Sequence, residues 1–195
     1  MFANAVAKST RRHNTRFMAQ EIELRATAFH EAGHAVAAFM LGRAFTRVSI
    51  KPDDLTVGRC SFRTPGTWYR PEEEMSAPTR RMLEHRIMIS LAGPETEARA
   101  TGAFDPQASQ EDLDRALDHA CLMAADPSEA SAYVEWLRLR TVNLMKQDGF
   151  WNAVRALAET LLRRNELPYR HARIVIQNAF GGSRPREAVP AMGPV

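Results

Sequence analysis

Between residues 17 and 41 apolar side chains recur near helical spacing, at Ile22, Phe29, Val36 and Met40, with small residues between them. That pattern predicts a helix with one buried face. Gly42 follows the last apolar position and is placed to end the helix as a C-terminal cap. Residues 45–51 then interleave apolar and polar side chains in the manner of a half-buried strand. Pro52-Asp53-Asp54 reads as a turn, and residues 56–63 as a return strand weakened by Gly58. A small sheet or hairpin is expected here. Residues 64–77, with Pro65, Gly66 and Pro71, read as a loop.

Beyond the loop the pattern is helical, over about 78–101, 109–125, 128–147, 151–165 and 168–180. Gly93-Pro94 should kink or split the first of these. Ser109 and Asp126-Pro127 mark the next boundaries, with Pro127 near a first helical position. The expected fold class is mainly α, with a small β-hairpin or sheet beside the first helix. Residues 1–16 read as a basic flexible arm, 17–180 as one domain, and 181–195, rich in Gly and Pro, as a disordered tail.

Composition narrows the function classes. The chain has 195 residues and a formal net charge of +3, and much of the basic excess sits near the ends, at Lys8, Arg11, Arg12, Arg16, Arg184 and Arg186. No basic run is interleaved with aromatic residues, which argues against a nucleic-acid partner. Cys60 and Cys121 are too few for a disulfide framework and suit a reducing compartment. Neither a signal-peptide core nor a run of eighteen apolar residues is present, so no membrane span is expected and the expected location is cytoplasmic.

The chemistry is concentrated in His30-Glu31-Ala32-Gly33-His34, an H-E-x-x-H sequence. Residues four apart share a helix face, so both imidazoles can reach one metal ion, and Glu31 is positioned to take a proton from an attacking water. The bland alternative is a helix that happens to carry two satisfied histidines. The apolar surroundings weigh against it, because two histidines and a glutamate are costly to bury without partners. Zinc suits the set. A catalytic zinc takes three protein ligands and keeps one position open. Positions 37 and 40 are Ala37 and Met40, and no cysteine precedes His30, so the third ligand is an acid from a later segment.

Several blocks in order resemble the peptidase domain of FtsH-type enzymes, the ATP-dependent zinc metalloproteases. They are Ala28-Phe-His-Glu-Ala-Gly-His-Ala35, Val48-Ser-Ile-Lys-Pro52 with Gly58, Ile89-Ser-Leu-Ala-Gly-Pro-Glu-Thr-Glu-Ala98, Ala108-Ser-Gln-Glu-Asp-Leu-Asp-Arg-Ala116, and Ala156-Leu-Ala-Glu-Thr-Leu-Leu162 with Leu167. The resemblance covers about residues 22–180. It implies His30, His34 and Asp112 as metal ligands and Glu31 as catalytic base. Asp112 also fits a capping box with Ser109. Glu97 is the alternative third ligand, unless it pairs with Arg99. Asp105, Asp114 and Asp118 read as surface charges.

Two departures stand out. Pro94 is unusual in that family's helix, and no G-x-x-x-x-G-K-[ST] loop is present for an ATPase. The expected activity is therefore hydrolysis of peptide bonds in unfolded or flexible polypeptides. One alternative is a peptidase subunit fed by a separate ATPase partner; the other is a zinc-binding regulatory module without turnover. The strand around Val48–Ile50 is a candidate for pairing with substrate backbone.

Overall fold

A single long helix, α1 (Phe2–Met40), organises the chain in this computed structural model. The structure describes residues 2–52, 58–62, 66 and 69–181, with side chains from residue 18 onward. The helical backbone reaches back from the expected start near residue 17 through most of the basic stretch. From residue 28 to residue 41 every side chain is buried, the mark of a helix enclosed on all sides rather than half-exposed. Ile22 was expected on a buried face but is 63% exposed, because no other element covers that part of α1 as it extends past the core. Gly42 ends the helix as expected: its φ is 68°, and the next N–H, that of Arg43, reaches back to the Ala38 carbonyl at 2.7 Å.

Helix α2 (Ala77–Thr101) starts at Ser76, whose side chain accepts from the Thr79 N–H. The expected split at Gly93-Pro94 does not occur, and the helix runs unbroken through both residues. Pro94 has no N–H to offer the Ser90 carbonyl. Burial of Leu91, Ala92, Gly93 and Pro94, on a helix packed against α1 and two later helices, holds the turn in place. α1 and α2 approach closely at Gly33. A Cβ there would stand 2.5 Å from Thr96 Oγ1 and 2.7 Å from the Ala92 carbonyl oxygen, so glycine is required by space.

The remaining helices are α3 (Gln110–Cys121), α4 (Pro127–Met145), α5 (Phe150–Arg164) and α6 (Tyr169–Ala179). Asp126 caps α4 with two backbone N–H groups, and Pro127 occupies its first turn, as the sequence suggested. α3 and α4 pack on α2, while α5 lies against α1 and carries α6.

The sheet is three-stranded and antiparallel, in the order β2-β1-β3. β1 (Phe45–Ser49) and β2 (Arg59–Phe62) form the expected pair. A register shift between Phe45 and Arg47 lets Phe45 and Val48, three residues apart, both be buried. β3 (Glu166–Pro168) was not expected. Three residues are too few to show a period, and only Leu167 among them is buried. Its entry depends on Asn165, whose φ of 61° reverses the chain after α5. β1 is thus the central strand with both edges paired, which overturns the expectation that substrate adds to it.

The turn residues Asp53 and Asp54 and the tail beyond Gly181 lie outside the described residues. Among the described residues no helix is long and apolar enough to cross a membrane.

Candidate metal centre

His30 and His34 stand one helical turn apart on α1, their rings edge to face with centroids 4.8 Å apart. Helical spacing brings them to one face, and the fold brings α3 up to it. Asp112, in the first turn of α3, places Oδ2 at 2.8 Å from His30 Nε2 and 3.1 Å from His34 Nε2. The ligand atoms of these three residues lie within 4.8 Å of one another. Asp112 is not spent on capping: the Ser109 side chain makes no cap bond, and the carboxylate turns to the histidines instead.

The outer contacts fix which ring nitrogens face inward. His34 Nδ1 donates to the Ile89 carbonyl at 2.7 Å, and His30 Nδ1 donates to Glu97 Oε2 at 2.7 Å. In neutral rings both Nε2 atoms then carry lone pairs, and both face the Asp112 carboxylate. Three ligand atoms directed at one point suit a metal ion held between them. One divalent ion with nitrogen and oxygen preferences fits, and each histidine already has the outer partner that orients a metal-binding imidazole. Glu97 therefore meets the far side of His30, away from the other two ligand atoms. It does not pair with Arg99, whose guanidinium instead lies 4.5 Å from the Trp151 ring centroid.

Electrostatics follow from the same contacts. Burial works against a charged His30, but the hydrogen-bonded Asp112 and Glu97 carboxylates override it and push its pKa up to about 10. For Asp112 burial acts to raise the pKa, yet His34 and His30 hold the group well below the usual carboxylate range. Its second oxygen accepts from Arg115 Nη1 at 3.1 Å, which fixes the carboxylate plane.

Glu31 is 6% exposed, and burial raises its pKa against the pull of the two histidines. Its Oε2 is buried without a hydrogen-bond partner. A buried carboxylate oxygen left without a partner beside this cluster is a costly arrangement for structure alone.

Two glycines shape the space. A Cβ on Gly93 would sit 2.4 Å from His34 Nε2 and 2.8 Å from His30 Nε2, within the volume the ligands enclose. A Cβ on Gly58, just before β2, would stand 3.0 Å from Glu31 Oε1, so the outer strand passes directly over the glutamate. Cys60 on β2 is close enough that the Glu31 and Asp112 charges add to burial in raising its thiol pKa. The centre opens into a cavity of about 1100 Å³ that reaches α1, β2, α2 and α3.

Of the expected residues, His30, Glu31, His34 and Asp112 are brought together. Asp105 and Asp114 are exposed and make local bonds, Asp105 with the Gln107 and Ala108 N–H groups and Asp114 with Gln110. The sequence did not reveal the roles of Ile89, Gly93 and Arg115. A backbone carbonyl leaves no signature in a sequence, but a glycine inside an apolar helical block is a signal of close approach.

Helix-borne histidines, an acid from a later helix and a buried unpartnered glutamate define a site of the metallopeptidase kind. A family model described as Peptidase M50B-like matches residues 5–68, roughly a third of the chain, and that stretch contains the H-E-x-x-H sequence, β1 and β2. The match supports a metallopeptidase domain; it does not support the FtsH-type identity that the sequence blocks suggested. No curated protein matches the chain.

Proposed function

We propose that the chain is a zinc-dependent peptidase, with His30, His34 and Asp112 as metal ligands and Glu31 as general base. The carrying observation is the convergence of His30 Nε2, His34 Nε2 and Asp112 Oδ2, three acceptors whose outer contacts leave them facing one another. Zinc held there supplies Lewis acidity toward a scissile carbonyl and the attacking water. Glu31 takes the proton of that water at Oε2 and returns it to the leaving amine nitrogen. Glu97 and the Ile89 carbonyl hold the imidazoles in orientation, and Arg115 holds Asp112. The outer edge of β2, which pairs only with β1 among the described strands, offers backbone groups to an extended polypeptide. Unfolded or flexible polypeptides are the substrates proposed here, since an extended chain can reach both the β2 edge and the cavity.

The test couples metal content with turnover. Purified protein should hold about one zinc per chain, and replacing both His30 and His34 with Ala should remove it. E31Q should keep the zinc yet lose ~10²- to 10⁴-fold in cleavage of an unstructured protein. Equal cleavage by E31Q and the native chain, or a chain that cannot be loaded with zinc, would overturn the proposal.

A further inference from the structure

The wall of the cavity between α2 and α3 carries a charge that the chemistry above does not use. Arg86 lies on α2 seven residues before Gly93, so two helical turns, ~10 Å along the axis, separate it from the point where the ligands converge. Its guanidinium packs over the Tyr69 ring at 5.3 Å, a contact that fixes the plane and leaves the N–H edge uncommitted. It has no carboxylate partner among the described residues. The acids lining the same cavity are mostly occupied: Glu97 by His30, Asp112 by both histidines and Arg115, Glu111 by Arg115, and Asp105 by two backbone N–H groups. Glu23 on α1 and Arg59 on β2 also line it without an ion pair among the described residues, as does Glu31 with its unpartnered Oε2.

Two further basic groups face this wall. Arg115 and His119 project from α3 one and two turns beyond Asp112, and both line the cavity. His119 Nδ1 donates to the Arg115 carbonyl at 2.6 Å, so Nε2 of the neutral ring is an acceptor and adds no positive charge. Burial first, and the Arg86 and Arg115 charges after it, lower the His119 pKa against the bond to the Arg115 carbonyl, so the ring stays neutral. Arg115 is committed to Asp112 and Glu111, which leaves Arg86 as the uncommitted cation of this wall among the described residues, and an uncommitted cation in a partly enclosed space favours an anionic guest.

We infer that Arg86 forms a subsite for a carboxylate of the substrate, one or two residues from the bond that is cut. An extended chain advances ~3.3 Å per residue, and an arginine reaches several ångströms from its backbone, so ~10 Å of helix corresponds to that separation. The carboxylate can come from an internal Glu or Asp or from the substrate's own C-terminus, since both offer the same two oxygens to a planar guanidinium. This inference rests on the peptidase reading, and the experiment separates the two.

One unstructured peptide is prepared with a single Glu stepped through the positions around the cut, with the matching Gln series. A third series ends at the same positions as a free acid or an amide. The zinc-loaded chain should cleave the best Glu or free-acid peptide ~10-fold faster in kcat/KM than its neutral counterpart. R86Q should bring that ratio close to one, and R86E should invert it in favour of the neutral peptide. R155Q, on the far surface of α5, should keep the native ratio. Because each ratio is taken within one protein, a partly unfolded variant does not mimic the result.

The same peptides are also titrated into E31Q by fluorescence anisotropy, with and without R86Q. Cleavage with no Arg86-dependent ratio overturns the subsite and leaves the peptidase standing. Arg86-dependent binding without cleavage by the native chain does the reverse. Binding that ignores both the carboxylate and Arg86 overturns the subsite whatever the cleavage result.

Discussion

Asp112 and Glu97 show how two acids that look interchangeable in the sequence acquire different work from where they stand. Asp112 faces the inner nitrogens of both histidines and Glu97 the outer nitrogen of one. D112N should therefore abolish stable zinc binding, whereas E97Q should keep the metal and weaken its affinity by ~10- to 100-fold, as loss of an outer hydrogen-bond partner does. Competition with a chromogenic chelator measures both. Equal effects would mean that the two carboxylates share the ligand role. A second residue-scale expectation concerns His85, which accepts from Arg43 Nε at 2.9 Å. Burial, and after it the Arg43, Arg81 and Arg140 charges, lower its pKa to about 4. The unfolded chain holds that proton more tightly, with a pKa near 6.5, so His85 makes stability fall as pH drops from about 6.5 toward 4. In chelator-treated protein, H85Q should lose less of its urea midpoint over that window than the native chain. Parallel losses would place the acid sensitivity elsewhere.

At the scale of elements, α2 does more than fill space. Its Gly93 faces the ligand nitrogens, and its Ile89 carbonyl orients His34. G93A should raise intrinsic helix propensity by ~1 kcal/mol and still eliminate zinc binding, because the added methyl enters the ligand space. Circular dichroism and metal analysis on the same sample would show the two effects moving in opposite directions; retained zinc would mean the rings can shift aside. The helices were legible from apolar spacing and from Gly42, Ser109 and Asp126-Pro127, because those signals are local. β3 was not legible, since what defines it is pairing with Val48 across the fold rather than any pattern of its own. Pro94 misled for the opposite reason: a local breaker is overridden when its turn is buried among three other helices. At the centre, H-E-x-x-H declared itself by spacing alone. The Ile89 and Arg115 contacts depend on how α2 and α3 dock, which no spacing encodes.

For the molecule as a whole, the centre joins α1 to α3, elements that otherwise meet chiefly through α2. Metal removal should therefore loosen α3 first. Hydrogen exchange after chelation should rise most in residues 110–121, with α5 and α6 little changed. With zinc at ~1,000 times its Kd, the linked stabilisation is ~4 kcal/mol, readable as a rise in Tm on adding the metal. Uniform exchange across all helices would indicate that α3 is held by packing and not by the ion.

His30 and Asp112 are separated by 82 residues of chain. At ribosomal speeds of ~5–20 residues per second, the second follows the first by ~4–16 s. During that interval α1 can emerge and coil with both histidines in place while no competent hydrolytic centre can yet exist. A growing polypeptide is itself unfolded, and so belongs to the substrate class proposed for this protein. If the chain is the peptidase proposed above, splitting the ligands across distant segments would withhold the cutting chemistry from the nascent chain that carries it.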